Sequence, residues 1–207
     1  MRDALRPARM PLAAVRWVVI DCETSGLDPA RDSLLSVGAV CVRGDRIALG
    51  ECFNARLRPP VSSPAENILI HGIGGDAQLA APPPAEVLPQ FARLLGGGVP
   101  VAFDAWFDAE ILRRAMSSLG LRSPRRWLDL AVLAPALFPE RARACRSLED
   151  WLGEFGIPHA GRHDALLDAL ATAELLLVLL AEGARQGIAT LQAARAAARG
   201  SRWLAPL

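Results

Sequence analysis

Residues Trp17 to Asp21 form a continuous apolar run that ends on an acid, the pattern of a strand buried on both faces. Leu34–Val42 and Arg46–Arg56 read as two more strands, with Gly44-Asp45 between them as a hairpin signal. Residues 58–81 carry Pro59, Pro60, Pro64 and several glycines, and read as one long loop. From Pro84 to Leu95 the apolar residues fall at helical spacing, and Gly96-Gly97-Gly98 stops the helix. Val99–Phe103 is a fourth strand. Asp104 is placed to cap a helix over Ala105–Ser118, which Gly120 ends. Arg126–Leu130 reads as a fifth strand. Ser147, with Asp150 three residues on, starts a short helix to Phe155. Asp164–Ala181 is a long helix, apolar nearly all round, and 188–199 is an Ala/Arg-rich terminal helix. Three strands, then helix–strand–helix–strand, then helices, predict an α/β fold: a mixed five-stranded sheet flanked by helices.

Composition narrows this picture. The chain has 207 residues, 52% hydrophobic and 22% charged, which suits one folded domain and argues against disorder. The expected division is a flexible N-terminal arm over 1–15, the main domain over 16–183, and a C-terminal helix and tail over 184–207. A net charge of +1 argues against a protein that coats long duplex through a broad basic face, though not against one that grips a strand end in a cleft. Every basic residue is Arg, which reads as the mark of a GC-rich genome. Cys22, Cys41, Cys52 and Cys145 form no C-x-x-C pair, so neither a disulfide framework nor a zinc site is expected. The longest apolar run, Leu175–Ala181, is too short for a bilayer, and with no signal peptide in sight the expectation is a cytoplasmic protein without membrane contact.

Four acids stand where burial should forbid them. Asp21 ends an apolar strand, and Glu23, two residues on, points the same way. Asp108 lies in the first turns of the helix after the fourth strand, and Asp168 lies in the apolar long helix. No nearby cation is evident, so a divalent metal is the simplest compensation. Two carboxylates ~4 Å apart repel by about 4 kcal/mol at an effective dielectric near 20, so four converging ones need bound cations. All-oxygen ligands suit Mg²⁺ or Mn²⁺. His163, five residues before Asp168, stands where an imidazole can take a proton from water. Two such metals about 4 Å apart could clamp a phosphodiester between them.

These residues resemble a known family. Asp21-Cys22-Glu23-Thr24-Ser25-Gly26-Leu27 is similar to the first motif of the DEDDh, DnaQ-like 3′→5′ exonucleases, the group of the proofreading subunit of bacterial DNA polymerase III. Phe107-Asp108 after a strand resembles the second motif, and His163 with Asp168 resembles the third. His71-Gly72-Ile73 resembles a loop beside the substrate end. The resemblance implies an RNase H-like fold, two divalent metal ions and release of nucleoside monophosphates. It implies that Asp21, Glu23, Asp108 and Asp168 serve the metals and that His163 is the general base. It also implies that Thr24, Gly26, Leu27, His71, Ile73 and Phe107 hold the terminal nucleotide. A sister branch uses Tyr in place of His, and this chain has no Tyr. Phe103-Asp104 departs from the family's usual His-Asn; Asp104 is read first as a helix cap, second as a residue near the metal.

Other residues are assigned ordinary roles. His159 is read as a surface residue, Asp129 as a structural strand-end acid, and Trp106, Trp127 and Trp151 as core. Arg195, Arg199 and Arg202 read as a solvated helix face. The expected partner is the 3′ end of single-stranded or frayed nucleic acid, DNA favoured over RNA, with a polymerase or repair complex as a further partner. Because only residues 182–207 follow the long helix, a stand-alone or repair-type enzyme is expected over a polymerase-docking module. The alternatives are an exoribonuclease, a docking module with weak activity, and an inactive relative.

Overall fold

The computed structural model describes residues 10–159 and 163–201. Its centre is a five-stranded sheet in the order β3-β2-β1-β4-β5, made of Arg16–Thr24 (β1), Leu34–Arg43 (β2), Arg46–Arg56 (β3), Val99–Ala102 (β4) and Leu128–Asp129 (β5). The first three strands form an antiparallel meander, and β4 and β5 run parallel to β1. β1 therefore lies in the middle, where its Val/Ile run is covered on both faces. It extends three residues past Asp21, so that acid sits within the strand and not at its end.

Alternation along β1 divides the core in two. Trp17 and Val19 pack with the long helix Ala165–Arg185 (α7) and with Leu130–Leu137 (α5), Leu148–Glu154 (α6) and Leu191–Ser201 (α8). Val18 and Ile20 pack on the other face with Pro84–Leu95 (α3) and Ala105–Ser117 (α4).

Four sequence expectations need correction. The long loop contains two short helices, Ala65–His71 (α1) and Gly75–Ala80 (α2), each too short for a periodic signal. Buried Gln78 pins them together, accepting from the Ser63 N–H (2.9 Å) and donating to the Ile73 carbonyl (2.7 Å). The fifth strand is only two residues long, and α5 follows it directly in a run that carries Pro135. Residues 10–15 are not loose: the Leu12 N–H donates to the Ala189 carbonyl (3.0 Å), while residues 1–9 of the expected arm lie outside the described residues. Arg195 is half-buried and holds the Arg126 carbonyl, so only Arg199 of the expected arginine face is solvated; Arg202 lies outside the described residues. No helix among the described residues is long and apolar enough to cross a membrane.

Candidate active site

Asp21 and Glu23 continue the face of β1 that Trp17 and Val19 turn toward α7. Asp21 is paired across the sheet with Gly38, and α7 begins directly over that glycine. A Cβ on Gly38 would stand 2.1 Å from the Ala165 carbonyl oxygen, so a missing side chain is what lets the helix come so close. Asp164 caps α7, accepting from the Leu166 and Leu167 N–H groups. Asp168, in the first turn, then reaches Asp21 and Glu23: one ligand oxygen from each of the three lies within 4.8 Å of the others.

The electrostatics follow from this crowding. Burial, followed by the charges of Asp108, Asp168 and Glu23, holds the Asp21 carboxyl well above the usual carboxylate range. Burial, then Asp168 and Asp164, pushes Glu23 up to about 7. Asp168 is also raised by burial, against the pull of His159. A donor set of crowded carboxylate oxygens fits a divalent cation.

Asp108 reaches Asp21 from another side, and its charge is the first of those that raise the Asp21 carboxyl. It belongs to α4, which packs on the other face of the sheet, and lies outside the tight cluster of the three. Burial raises it to about 7, and a hydrogen bond from the Cys22 thiol opposes that shift. Asp108 thus joins the expected convergence from beside Cys22, on the face of β1 opposite to Glu23, and acts on Asp21 from there.

The histidines also differ from expectation. His159 is not a surface residue: its side chain is 14% exposed and its Nε2 is hydrogen-bonded to Asp168 Oδ1. A separation of nine residues gives no periodicity from which that contact could be read. His163 is exposed at the rim with left-handed backbone (φ 65°), and its N–H donates to Asp168 Oδ2 at 3.2 Å.

Asp104 does not cap α4 with its side chain. Its backbone is left-handed (φ 59°, ψ 52°), a conformation Asp and Asn tolerate best after Gly, and its N–H donates to Asp129 Oδ1 (3.1 Å). Asp129 also accepts from the Ala131 N–H and caps α5, which is the structural role expected of it. Asp104→Asn keeps that conformation and loses no cap. Its melting temperature should stay within about 1 °C, as for surface changes of under ~0.5 kcal/mol, and its turnover should hold or rise. A severe loss of turnover would make Asp104 a ligand.

Beside the acids lies a cleft of 540 Å³ whose walls include Glu23, His71, Ile73 and His163. Leu69 and Ile70 of α1, which sequence reasoning missed inside the supposed loop, line the same cleft and are exposed. The Thr24 hydroxyl donates to the Gly26 carbonyl (2.7 Å), and Asp32 fills the space a Gly26 side chain would need. This turn leaves Leu27 86% exposed, so it is not core. Ile73 is buried and Phe107 half-buried. His71 is a brace: its Nδ1 accepts from the Ile73 N–H (3.1 Å), which leaves the proton on Nε2, 3.3 Å from Ser63 Oγ. Trp106 is 65% exposed, against the expectation of core, while Trp151 is buried and Trp127 half-buried.

The chain is similar to known proteins in sequence and in fold. The family described as Exonuclease (RNase_T) matches residues 18–176. A DNA polymerase III subunit epsilon-like protein of Rhodobacter capsulatus is 35% identical over 189 residues, covering 90% of this chain and 27% of that protein. The DNA polymerase III subunit epsilon of Treponema pallidum is 30% identical over 174 residues, covering 83% of this chain and 80% of that protein. This chain spans only 11–13% of several DNA polymerase III PolC-type relatives. Among solved structures, the nuclease domain of 3′hExo, a DEDDh family member bound to rAMP, superposes with a TM-score of 0.72 at 16% identity, covering 84% of this chain and 96% of that one. Escherichia coli exonuclease I with a dT13 oligonucleotide gives 0.72 at 19% identity, covering 83% and 42%.

Proposed function

This chain belongs to the exonuclease family, and on that premise we propose that it hydrolyses the phosphodiester at the 3′ end of single-stranded or frayed DNA, one nucleotide at a time. The observation that carries this reading is the cluster of Asp21, Glu23 and Asp168 on the edge of a cleft that Leu69, Ile70 and Ile73 line together with polar groups. Those three acids would hold divalent ions, Mg²⁺ or Mn²⁺, with Asp108 serving directly or through water. Ions bound there would neutralise the carboxylates and supply Lewis-acid polarisation of the phosphate. Leu27, Leu69 and Ile70 offer apolar surface to the terminal base without reading its identity. His163, free at the rim, would accept the proton of the attacking water, while His159 positions Asp168. DNA is favoured over RNA because relatives 30–35% identical in sequence are named for DNA polymerase III.

Matched 5′-labelled DNA and RNA single strands, incubated with Mg²⁺, Mn²⁺ or EDTA, test this. The expected result is a metal-dependent ladder shrinking from the 3′ end, faster on DNA. No cleavage of either strand by folded protein would overturn the reading. His163→Ala should lose at least ~100-fold in kcat, the scale of a positioned base, and His159→Ala less than ~10-fold. The reverse order would exchange their roles.

A further inference from the structure

The first turn of α4 faces two ways. Asp108 looks toward the sheet, and Trp106, two residues or about 200° away around the helix, looks outward and is 65% exposed. From Trp106 a groove of 420 Å³ runs along α4 past Arg113 to Ser117, walled on its far side by Ser123–Trp127. That is about 16 Å of helix rise. Trp127 closes one wall, with its indole N–H donating to the Pro124 carbonyl (3.3 Å).

The charge of this face departs from the rest of the chain. The groove is lined by Arg113, Arg125 and one acid, Glu110; exposed Arg122 and Arg126 flank Arg125 in the same segment, and Arg114 lines a different cleft. Only Arg113 has a partner, Glu110; among the described residues no carboxylate pairs with the other four. Half-buried Arg195 grips the Arg126 carbonyl and adds its own charge beneath the wall. An exposed indole beside unpaired Arg125, with exposed Arg122 next to it, is the chemistry that takes bases on a flat apolar face and phosphates alongside.

We propose that this groove carries the upstream part of a single-stranded nucleic acid whose 3′ end lies in the active site, an inference that rests on the exonuclease reading above. The strand rounds the N-terminal end of α4, a distance of about 10 Å, then follows the groove for roughly five nucleotides at a stacked spacing of ~3.4 Å. Metal-bound acids hold the end; Trp106 and the arginines hold the body.

Fluorescence anisotropy of a 5′-labelled strand of about 12 nucleotides, long enough to cover that path, gives the affinity in EDTA without turnover. Trp106→Ala and the exposed double variant Arg122→Glu/Arg125→Glu should each weaken binding at least ~10-fold. The double variant should also flatten the salt dependence, by about 0.7 for each phosphate it no longer neutralises. Metal-dependent hydrolysis of the p-nitrophenyl ester of thymidine 5′-phosphate, too short to leave the active site, should be unchanged in both. Unchanged affinity and salt slope would overturn the groove while leaving the exonuclease intact. So would a loss that strikes the small ester as hard as the strand, because the effect would then lie in the active site. A wild-type protein that hydrolyses neither substrate would instead sink the exonuclease reading, and the anisotropy would still judge the groove by itself.

Discussion

Asp21→Ala should abolish turnover and, in EDTA, raise the melting temperature. Both effects come from one cause. The Asp21 carboxyl shares its corner with Glu23 and Asp168, and burial together with the neighbouring acids raises its affinity for a proton. A carboxyl whose pKa is higher in the folded than in the unfolded state costs nothing at pH below the unfolded value, near 3.8. The cost then grows as pH rises, until the folded group ionises as well. Removing Asp21 should therefore stabilise the metal-free protein at pH 8 by about 1–2 kcal/mol, roughly 2–8 °C for a chain of this size, allowing for partial exposure and poorer packing. The gain should shrink toward zero near pH 4. In saturating Mn²⁺ the order should reverse, because the wild type gains ligand-binding energy that the variant lacks. Thermal melts at both pH values, with and without metal, separate the cases. A lower melting temperature in EDTA at pH 8 would show a carboxylate already satisfied by the protein, and turnover within ~10-fold of wild type would remove Asp21 from the chemistry.

How much of this was legible in the sequence depends on the range over which each signal acts. The central strand could be read because Trp17–Ile20 is apolar without a break, and the pairing of Asp21 with Glu23 follows from strand geometry alone. The capping box of Ser147 and Asp150 was equally visible and is fully formed. The helices α1 and α2 were not, because six or seven residues carry too little periodicity and their order rests on Gln78, a tertiary contact. Asp104 sat at the expected N-cap position, but the sequence could not show that its backbone is left-handed and held by Asp129, 25 positions on. His159 and Trp106 were misread for the opposite reason: prior expectation for a residue type says nothing about which neighbours the fold brings. The sequence pointed to Asp21, Glu23 and Asp168 as neighbours and the fold brings them together, but that Asp108 comes to Asp21 from the other face of β1 is something the motif resemblance does not encode.

Gly38 drew no notice in the sequence, and its replacement should cost nearly as much as losing an acid. A methyl group there would meet the Ala165 carbonyl carbon at 2.2 Å and the Leu166 nitrogen at 2.4 Å, both backbone atoms of the first turn of α7. Ordinary contact needs 3.4 Å or more, so the turn must retreat by over ~1 Å, and no rotamer change can absorb that. Asp168 rides on the same turn and would be drawn away from Asp21 and Glu23. A displacement of about 1 Å at a reacting centre costs on the order of 100-fold, and overpacking costs about 1–3 kcal/mol of stability. Gly38→Ala should thus lose ~100-fold or more in metal-dependent turnover and melt several degrees lower, with helix content by circular dichroism nearly unchanged. Gly50→Ala is the control: it too is a strand glycine, but nothing lies within 4 Å of its added Cβ, so both turnover and melting temperature should hold. If Gly38→Ala kept full turnover, the close seat of α7 on β2 would not be what brings Asp168 to the other two acids. The site would then owe its assembly to the bound metal drawing the helix in.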